Sequence, residues 1–346
     1  MRRAVVSWLF AVVFLCNAFV AQAADKHPGV TIYATGGTIA GSAESSTDTT
    51  TYQSGVLGVD VLIKAVPQLK DIADVSGVQV AKLNSPDVSQ AVLLKLSKEI
   101  GKKLAEKGTH GVVVTHGTDT LEETAFFLDL TIKSKKPVVI VGAMRPATAI
   151  SADGPMNLLQ AVSAAVDRNA EDRGVLVVMN DRIGSAFYIT KTNATTPDTF
   201  KAAEQGFLGT FVGDKAKFYY EPAKPVNKPH FDVSKLDSLP KVVILYSYQD
   251  EDVALLDAAV ANGAKGIVFA GTGNGSLSKG MEDKVVELMG RGIPVIRSTR
   301  TGSGWVSDID TGIPSGCFNA QKSRILLTLA LAEGANMDKI KRYFGM

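Results

Sequence analysis

The residues best suited to chemistry are two threonines, each beside a glycine turn and each following an apolar run of β character. The first stretch reads Ile32-Tyr33-Ala34-Thr35-Gly36-Gly37-Thr38-Ile39-Ala40. The second reads Val112-Val113-Val114-Thr115-His116-Gly117-Thr118-Asp119-Thr120. A parallel strand that ends in a glycine turn presents the next side chain at the carboxyl edge of the sheet, where open α/β folds build their sites. Two hydroxyls delivered there by separate strands point to nucleophile chemistry without a cysteine or a serine–histidine pair.

Each motif also has a plainer explanation. The first turn departs from G-x-G-x-x-G because Thr38 takes the second glycine's place, and from a P-loop because Ser42 follows Gly41. Read alone, Thr38 is as well explained as a turn residue. In the second motif Thr120 and Glu123 have capping-box spacing, and Thr118 or Asp119 could equally cap a helix. One helix start needs one cap, however, and three candidates stand in a row. The surplus hydroxyl and carboxylate favour a bound ligand, at a helix end whose dipole also favours a developing oxyanion. His116 reads as a structural histidine and Lys191 as a solvated lysine. Asn193-Ala194-Thr195 is a glycosylation sequon of the kind that arises by chance.

The surrounding pattern supplies elements able to position such motifs. Strand-like runs at 29–35, 78–83, 111–115, 137–142 and 174–179 alternate with helical patterns at 56–66, 89–107, 120–132 and 154–167. This order implies βαβ units and a mostly parallel sheet. Residues 181–192 read as a hairpin carrying Lys191. Pro222, Pro225, Pro229 and Pro240 mark 221–240 as a linker. Alternation then resumes with strands at 242–246, 266–270 and 293–297 and helices at 251–262, 279–290, 320–332 and 336–343. The expected fold is therefore α/β, with a large N-terminal domain (24–220) and a smaller C-terminal α/β domain (241–346).

Composition narrows the partners. The 346 residues are 45% hydrophobic and 21% charged, as in a globular α/β protein. Residues 1–23 read as a secretory signal: Arg2 and Arg3, an apolar run from Ala4 to Val20, then Ala21-Gln22-Ala23. This predicts a periplasmic or secreted protein with no membrane segment after cleavage. The formal charge of +2 includes Arg2 and Arg3, so the mature chain is near neutral and offers no basic patch for nucleic acid. Of two cysteines only Cys317 survives cleavage, which excludes an intrachain disulfide. No metal-ligand spacing is present, and neither a metal nor another cofactor is expected.

Taken together, the Thr38 and Thr118 motifs resemble the two signatures of the bacterial L-asparaginase family, the exported (type II) branch most closely. Similar stretches include Ala65–Ile72, Val141-Gly142-Ala143-Met144-Arg145-Pro146, Ser151–Pro155 and Gly174–Asp181. The resemblance spans essentially the whole mature chain. It implies hydrolysis of L-asparagine to L-aspartate and ammonia, with a dual glutaminase-asparaginase as one alternative. It also implies a homotetramer of intimate dimers, each site lying between one subunit's large domain and its neighbour's small domain. By the same resemblance Thr38 is the nucleophile, assisted by Tyr52 on a mobile loop. Thr118, Lys191 and Asp119 form the second cluster, with Asp119 holding the substrate ammonium. Ser85 matches a carboxylate binder, and the backbone N–H groups of Thr118 and Ala143 face the oxyanion, beside Gly37 and Gly117. Asn274 matches a group reaching in from the neighbour. A non-catalytic amino-acid-binding module is the remaining alternative, disfavoured because binding alone does not need two hydroxyls aimed at one carbon.

The chain departs from the family pattern at two places. Pro86 follows Ser85 where relatives carry Gln or Glu, and proline offers neither a polar side chain nor an N–H. Residues 300–316 are shorter than in relatives, leaving Asp308 and Asp310 as the candidates for an acidic residue lent to a neighbouring Tyr52.

Overall fold

A computed structural model describes residues 27–308 and 311–345. The signal assigned to 1–23 lies outside the described residues. The large N-terminal domain opens with strand β1 (Gly29–Gly36), helix α1 (Val59–Lys64), β2 (Asp74–Leu83), α2 (Gln90–Leu104) and β3 (Thr109–Thr115). It continues with α3 (Leu121–Thr131), β4 (Val138–Val141), α4 (Gly154–Val166) and β5 (Val175–Met179). Strands β6 (Arg182–Ser185), β7 (Thr190–Lys191), β8 (Phe200–Lys201), β9 (Gly209–Val212) and β10 (Lys215–Phe218) complete it. The main sheet has the order β10-β9-β6-β5-β4-β3-β1-β2. Strands β2, β1, β3, β4 and β5 are mutually parallel, and β6, β9 and β10 are added antiparallel.

That order carries the functional consequence. The chain leaves β1 toward β2 on one side, then crosses back to place β3 on the other. β1 and β3 therefore flank the point where strand order reverses, the position at which open α/β sheets build their sites. Both threonine motifs lie at the carboxyl ends of those strands.

Packing follows from the two sheet faces. Inward residues Val30, Ile32, Val113, Val139 and Leu176 meet α1 and α4, while Val112, Val114, Ile140 and Val177 meet α2 and α3. Buried on both faces, β3, β4 and β5 read as unbroken apolar runs.

The smaller C-terminal domain is a parallel sheet of β11 (Val242–Tyr246), β12 (Gly266–Gly271), β13 (Val295–Thr299) and β14 (Ile313–Pro314). Its helices are α5 (Ala254–Ala261), α6 (Lys279–Gly290), α7 (Ala320–Ala332) and α8 (Met337–Phe344). Helix α7 packs on both α3 and the C-terminal sheet, so one hydrophobic cluster runs across both domains. Phe126, Phe187 and Phe318 pack within it in tilted and edge-on pairs, with ring centroids 5.3–5.4 Å apart.

Several expectations need correction. Residues 181–192 do not form one hairpin. The turn lies earlier, at Asn180 and Asp181, both at positive φ, and joins β5 to β6; two such residues suit a tight strand reversal. Lys191 instead sits on a separate two-stranded ribbon, β7 paired with β8. The helix expected over 56–66 shrinks to α1, because Gly58 caps its start and Pro67 begins a 3-10 turn. Strand β2 begins earlier than 78, since an edge strand with exposed residues lacks a continuous apolar signal. The hairpin β9–β10 and the short β14 were not anticipated. Among the described residues no helix is long and apolar enough to cross a membrane.

Glycine placement yields a stability test. A Cβ at Gly111, on β3, would lie 2.1 Å from the Ala165 carbonyl oxygen of α4. Gly111→Ala is expected to lower the unfolding free energy by about 1–3 kcal/mol, read from urea midpoints. At Gly101, exposed on α2 with nothing near its Cβ direction, the same change should raise stability by about 0.5–1 kcal/mol.

Candidate active site

The two glycine turns meet backbone to backbone. Gly37 has φ 82°, and a Cβ there would lie 2.2 Å from the Gly117 Cα. A Cβ at Gly117 would lie 2.8 Å from the Ser85 Cβ. Three loops, following β1, β2 and β3, thus converge, and only residues without side chains allow the approach. The Gly37 N–H also donates to the Leu83 carbonyl at 3.0 Å, tying the first loop to the second.

Thr38 begins a 3-10 turn directly after Gly37, and its Oγ1 lies 2.6 Å from the Tyr52 hydroxyl. The loop carrying Tyr52 is closed over this contact. Ser42 and Gln53 exchange backbone hydrogen bonds, the Gly55 N–H donates to the Gly37 carbonyl at 3.1 Å, and Ala147 bonds back to Gly41. Thr38 is 4% exposed and Tyr52 half-buried.

The second cluster forms around Lys191. Its ammonium donates to Thr118 Oγ1 at 3.0 Å and to Asp119 Oδ1 at 2.6 Å. Thr118 is buried, whereas the Asp119 carboxylate is exposed at the mouth. Gly142, just before Ala143, lines the same place: a Cβ there would sit 3.1 Å from Thr118 Cγ2. Among the described residues, the N–H groups of Thr118 and Ala143 donate to no protein acceptor.

Ser85 is buried and accepts from the Thr120 N–H at 3.4 Å, while the Thr120 hydroxyl donates to the Ser85 carbonyl at 2.8 Å. This overturns the capping box. Thr120 is the residue before α3, but its side chain makes no cap bond, and Glu123 pairs instead with Arg324 at 2.7 Å. The polar residues expected to favour a bound ligand here also make tertiary contacts, Thr118 and Asp119 with Lys191 and Thr120 with Ser85. Pro86 is exposed in the 3-10 turn that Ser85 begins.

Asn274 stands apart from this cluster, exposed on the C-terminal domain. Its amide donates to Ser307 Oγ at 2.6 Å and its Oδ1 accepts from the Ser307 N–H at 3.0 Å. Asp308 is exposed on the adjoining loop, and Asp310 lies outside the described residues. A cavity of about 260 Å³ lies behind the Lys191 ribbon, lined by Phe187, Thr190, Asn319 and Lys322; neither threonine hydroxyl borders it.

Sequence reasoning missed a buried polar network under Lys191. Glu122 on α3 accepts from the Lys191 backbone N–H at 3.0 Å and from Asn319 Nδ2 at 3.3 Å. Burial pushes the Glu122 carboxyl up, and the charge of Lys322 opposes that. Burial lowers Lys322 to about 8; its ammonium donates to the Ala186 carbonyl at 2.6 Å and faces the Phe126 ring. By sequence alone Glu122 has only the place of an acidic residue in a helix's first turn.

His116 is fully buried. Because the Gly117 carbonyl can only accept, Nδ1 carries the proton at 2.8 Å, leaving Nε2 to accept from the Thr124 hydroxyl at 2.9 Å. Both ring nitrogens are used, consistent with a structural role. Among the described residues no cluster of His, Cys, Asp and Glu could hold a metal. Cys317 is a free thiol.

Comparisons with known proteins show the family and the fold. Residues 29–224 match the family model described as Asparaginase, N-terminal, and residues 241–344 match the Glutaminase/Asparaginase C-terminal domain. L-asparaginase 2 of Bacillus subtilis is 53% identical, covering 94% of this chain and 88% of its own length. A probable periplasmic L-asparaginase of Haemophilus influenzae is 45% identical, covering 95% and 97%. The crystal structure of a probable cytoplasmic L-asparaginase from Campylobacter jejuni superposes with a TM-score of 0.88 at 48% identity, covering 91% and 98%.

Burial of His116 sets a pH dependence. Its pKa falls to about 4 in the folded chain because burial disfavours the charged ring. Between pH 6.5 and about 4 the unfolded chain binds the proton and the folded chain does not, so stability falls as pH falls. The loss should approach about 3 kcal/mol by pH 4. Urea midpoints measured from pH 7 to 4.5 should drop more steeply in the wild type than in His116→Gln.

Proposed function

The chain belongs to the asparaginase/glutaminase family, and from that premise we propose that it hydrolyses the side-chain amide of L-asparagine to L-aspartate and ammonia. The observation that carries this reading is the pairing of two hydroxyls, each with its own proton partner, at the sheet's switch point: Thr38 with Tyr52, and Thr118 with Lys191.

In this reading Thr38 Oγ1 attacks the amide carbon, its proton passing to the Tyr52 oxygen as the Tyr52 hydroxyl gives up its own to the departing amide nitrogen. The oxyanion is received by the N–H groups of Thr118 and Ala143, and collapse expels ammonia, leaving a β-aspartyl ester on Thr38. Water held at Thr118 and Lys191 then attacks the ester, returning the Thr38 hydroxyl and releasing aspartate. Division into two steps suits a poor electrophile and a weak nucleophile. Each oxyanion donor should contribute about 3–4 kcal/mol. Asp119 takes the substrate ammonium and Ser85 its carboxylate, which excludes simple amides.

A homotetramer accompanies this proposal. Asn274, remote from its own chain's cluster, would complete a neighbour's site across the intimate dimer interface. Export to the periplasm rests on residues 1–23; the relatives bear both periplasmic and cytoplasmic names. Asparagine is proposed as the preferred substrate over glutamine.

Purified protein should release ammonia from asparagine faster than from glutamine. Thr38→Ala and Thr118→Ala should each lower kcat by about a thousandfold or more while circular dichroism and the urea midpoint stay near wild type. Near-normal turnover in both variants would overturn the assignment.

A further inference from the structure

The ammonium of Lys191 touches Thr118 and Asp119, but Lys191 arrives on a ribbon of only two residues paired with two others. So short a ladder is a weak anchor. The ribbon runs on through Thr192, whose N–H and hydroxyl both donate to the Thr199 carbonyl, and the Lys191 backbone N–H itself is held from outside the ribbon by a carboxylate. Glu122 is 3% exposed, and its Oε2 accepts from the Lys191 N–H, joining positions 69 apart in sequence. Its Oε1 accepts from the side-chain amide of Asn319, which also donates to Thr190 Oγ1 at 3.2 Å. Asn319 in turn caps α7, accepting from the Lys322 N–H at 2.9 Å.

We propose that Glu122 is a positioning residue for amide hydrolysis, its carboxylate clamping the Lys191 backbone to α3 and to the C-terminal domain so that the ammonium stays on Thr118. The proposal rests on the functional reading above. Two features single out a carboxylate here. Both of its oxygens face donors on different elements, and only an ionised carboxyl offers two acceptors with no hydrogen of its own. A glutamine of the same shape must turn its NH2 toward one of those donors. Glu122 is also the second residue of α3, whose entry carries Thr118 and Asp119. The clamp therefore joins Lys191 to the very element that holds its partners, and Lys322 supplies a balancing charge within the buried network.

The test is a double-mutant cycle with asparagine as substrate. Glu122→Gln should lower kcat roughly 10- to 100-fold, the loss expected from small misplacement of a catalytic group, with KM held within about threefold. In a Lys191→Met background the same change should cost less than about twofold, because the group it positions is gone. Glu123→Gln, which breaks the neighbouring contact with Arg324, should lower stability and leave kcat unchanged. Should Glu122→Gln fail to fold, Asn319→Ser keeps a helix cap, removes one clamp donor, and should show the same dependence on Lys191. An equal fall in both backgrounds, or a folded variant with unchanged kcat, overturns the proposal. Absence of ammonia release by the wild type would instead overturn the functional reading. The clamp is then decided by hydrogen exchange, which should be at least about tenfold faster at the Lys191 amide in Glu122→Gln; an unchanged rate rejects it.

Discussion

The contact between Gly37 and Gly117 is the constraint on which the site depends. Two backbone turns approach so closely that any side chain at either position would overlap backbone or the Ser85 side chain. The parallel pairing of β1 and β3 aligns Ala34 with Thr115, so their turns begin side by side. The residues that follow, Thr38 and Thr118, inherit their relative placement from that register. Little freedom remains in either loop: Gly37 bonds to Leu83, His116 bonds to Val141, and the Thr35 hydroxyl donates to the Thr115 carbonyl at 2.9 Å. Preorganisation of this kind is what an amide, as a poor electrophile, requires.

A second constraint acts on charge. Helix α3 is buried on nearly every face, yet it carries Glu122 and Asp129. Burying a carboxylate costs several kcal/mol unless it is paired and hydrogen-bonded. Each one here is satisfied by groups distant in sequence: Asp129 by the Val175 N–H and Lys228, both at 2.7 Å, and Glu122 by Lys191 and Asn319. Such pairs add little net stability; they tie β5, the segment at Lys228, the β7–β8 ribbon and the C-terminal domain to α3. The Glu123–Arg324 pair adds a partly exposed link in the same place.

Much of this was legible in the sequence, for reasons that differ by element. Buried parallel strands such as β3 and β4 betray themselves as continuous apolar runs, and α6 and α7 fall where periodicity and capping residues set them. The threonine motifs stood out because glycine turns after β-runs are local signals. The ribbon holding Lys191 was hidden because strands of two residues leave no pattern, and the start of β2, before 78, because an edge strand alternates weakly. Glu122 and Asn319 were invisible for a deeper reason. In one dimension each has an ordinary local role, helix first turn and helix cap, and only folding gives each a second partner across 69 or 197 positions.

The two halves of the site are thus held by different means. Thr38 and Thr118 are set by strand register and glycine packing, which belong wholly to the N-terminal sheet. Lys191 is set through Glu122 and Asn319, and so by the contact between α3 and α7 that joins the domains. Disturbing the sheet would displace both hydroxyls at once, whereas breaking the Glu122 clamp would leave them in place and free only the ammonium. In the proposed mechanism the C-terminal domain would thus contribute through Asn319, by helping to fix the backbone from which Lys191 reaches Thr118.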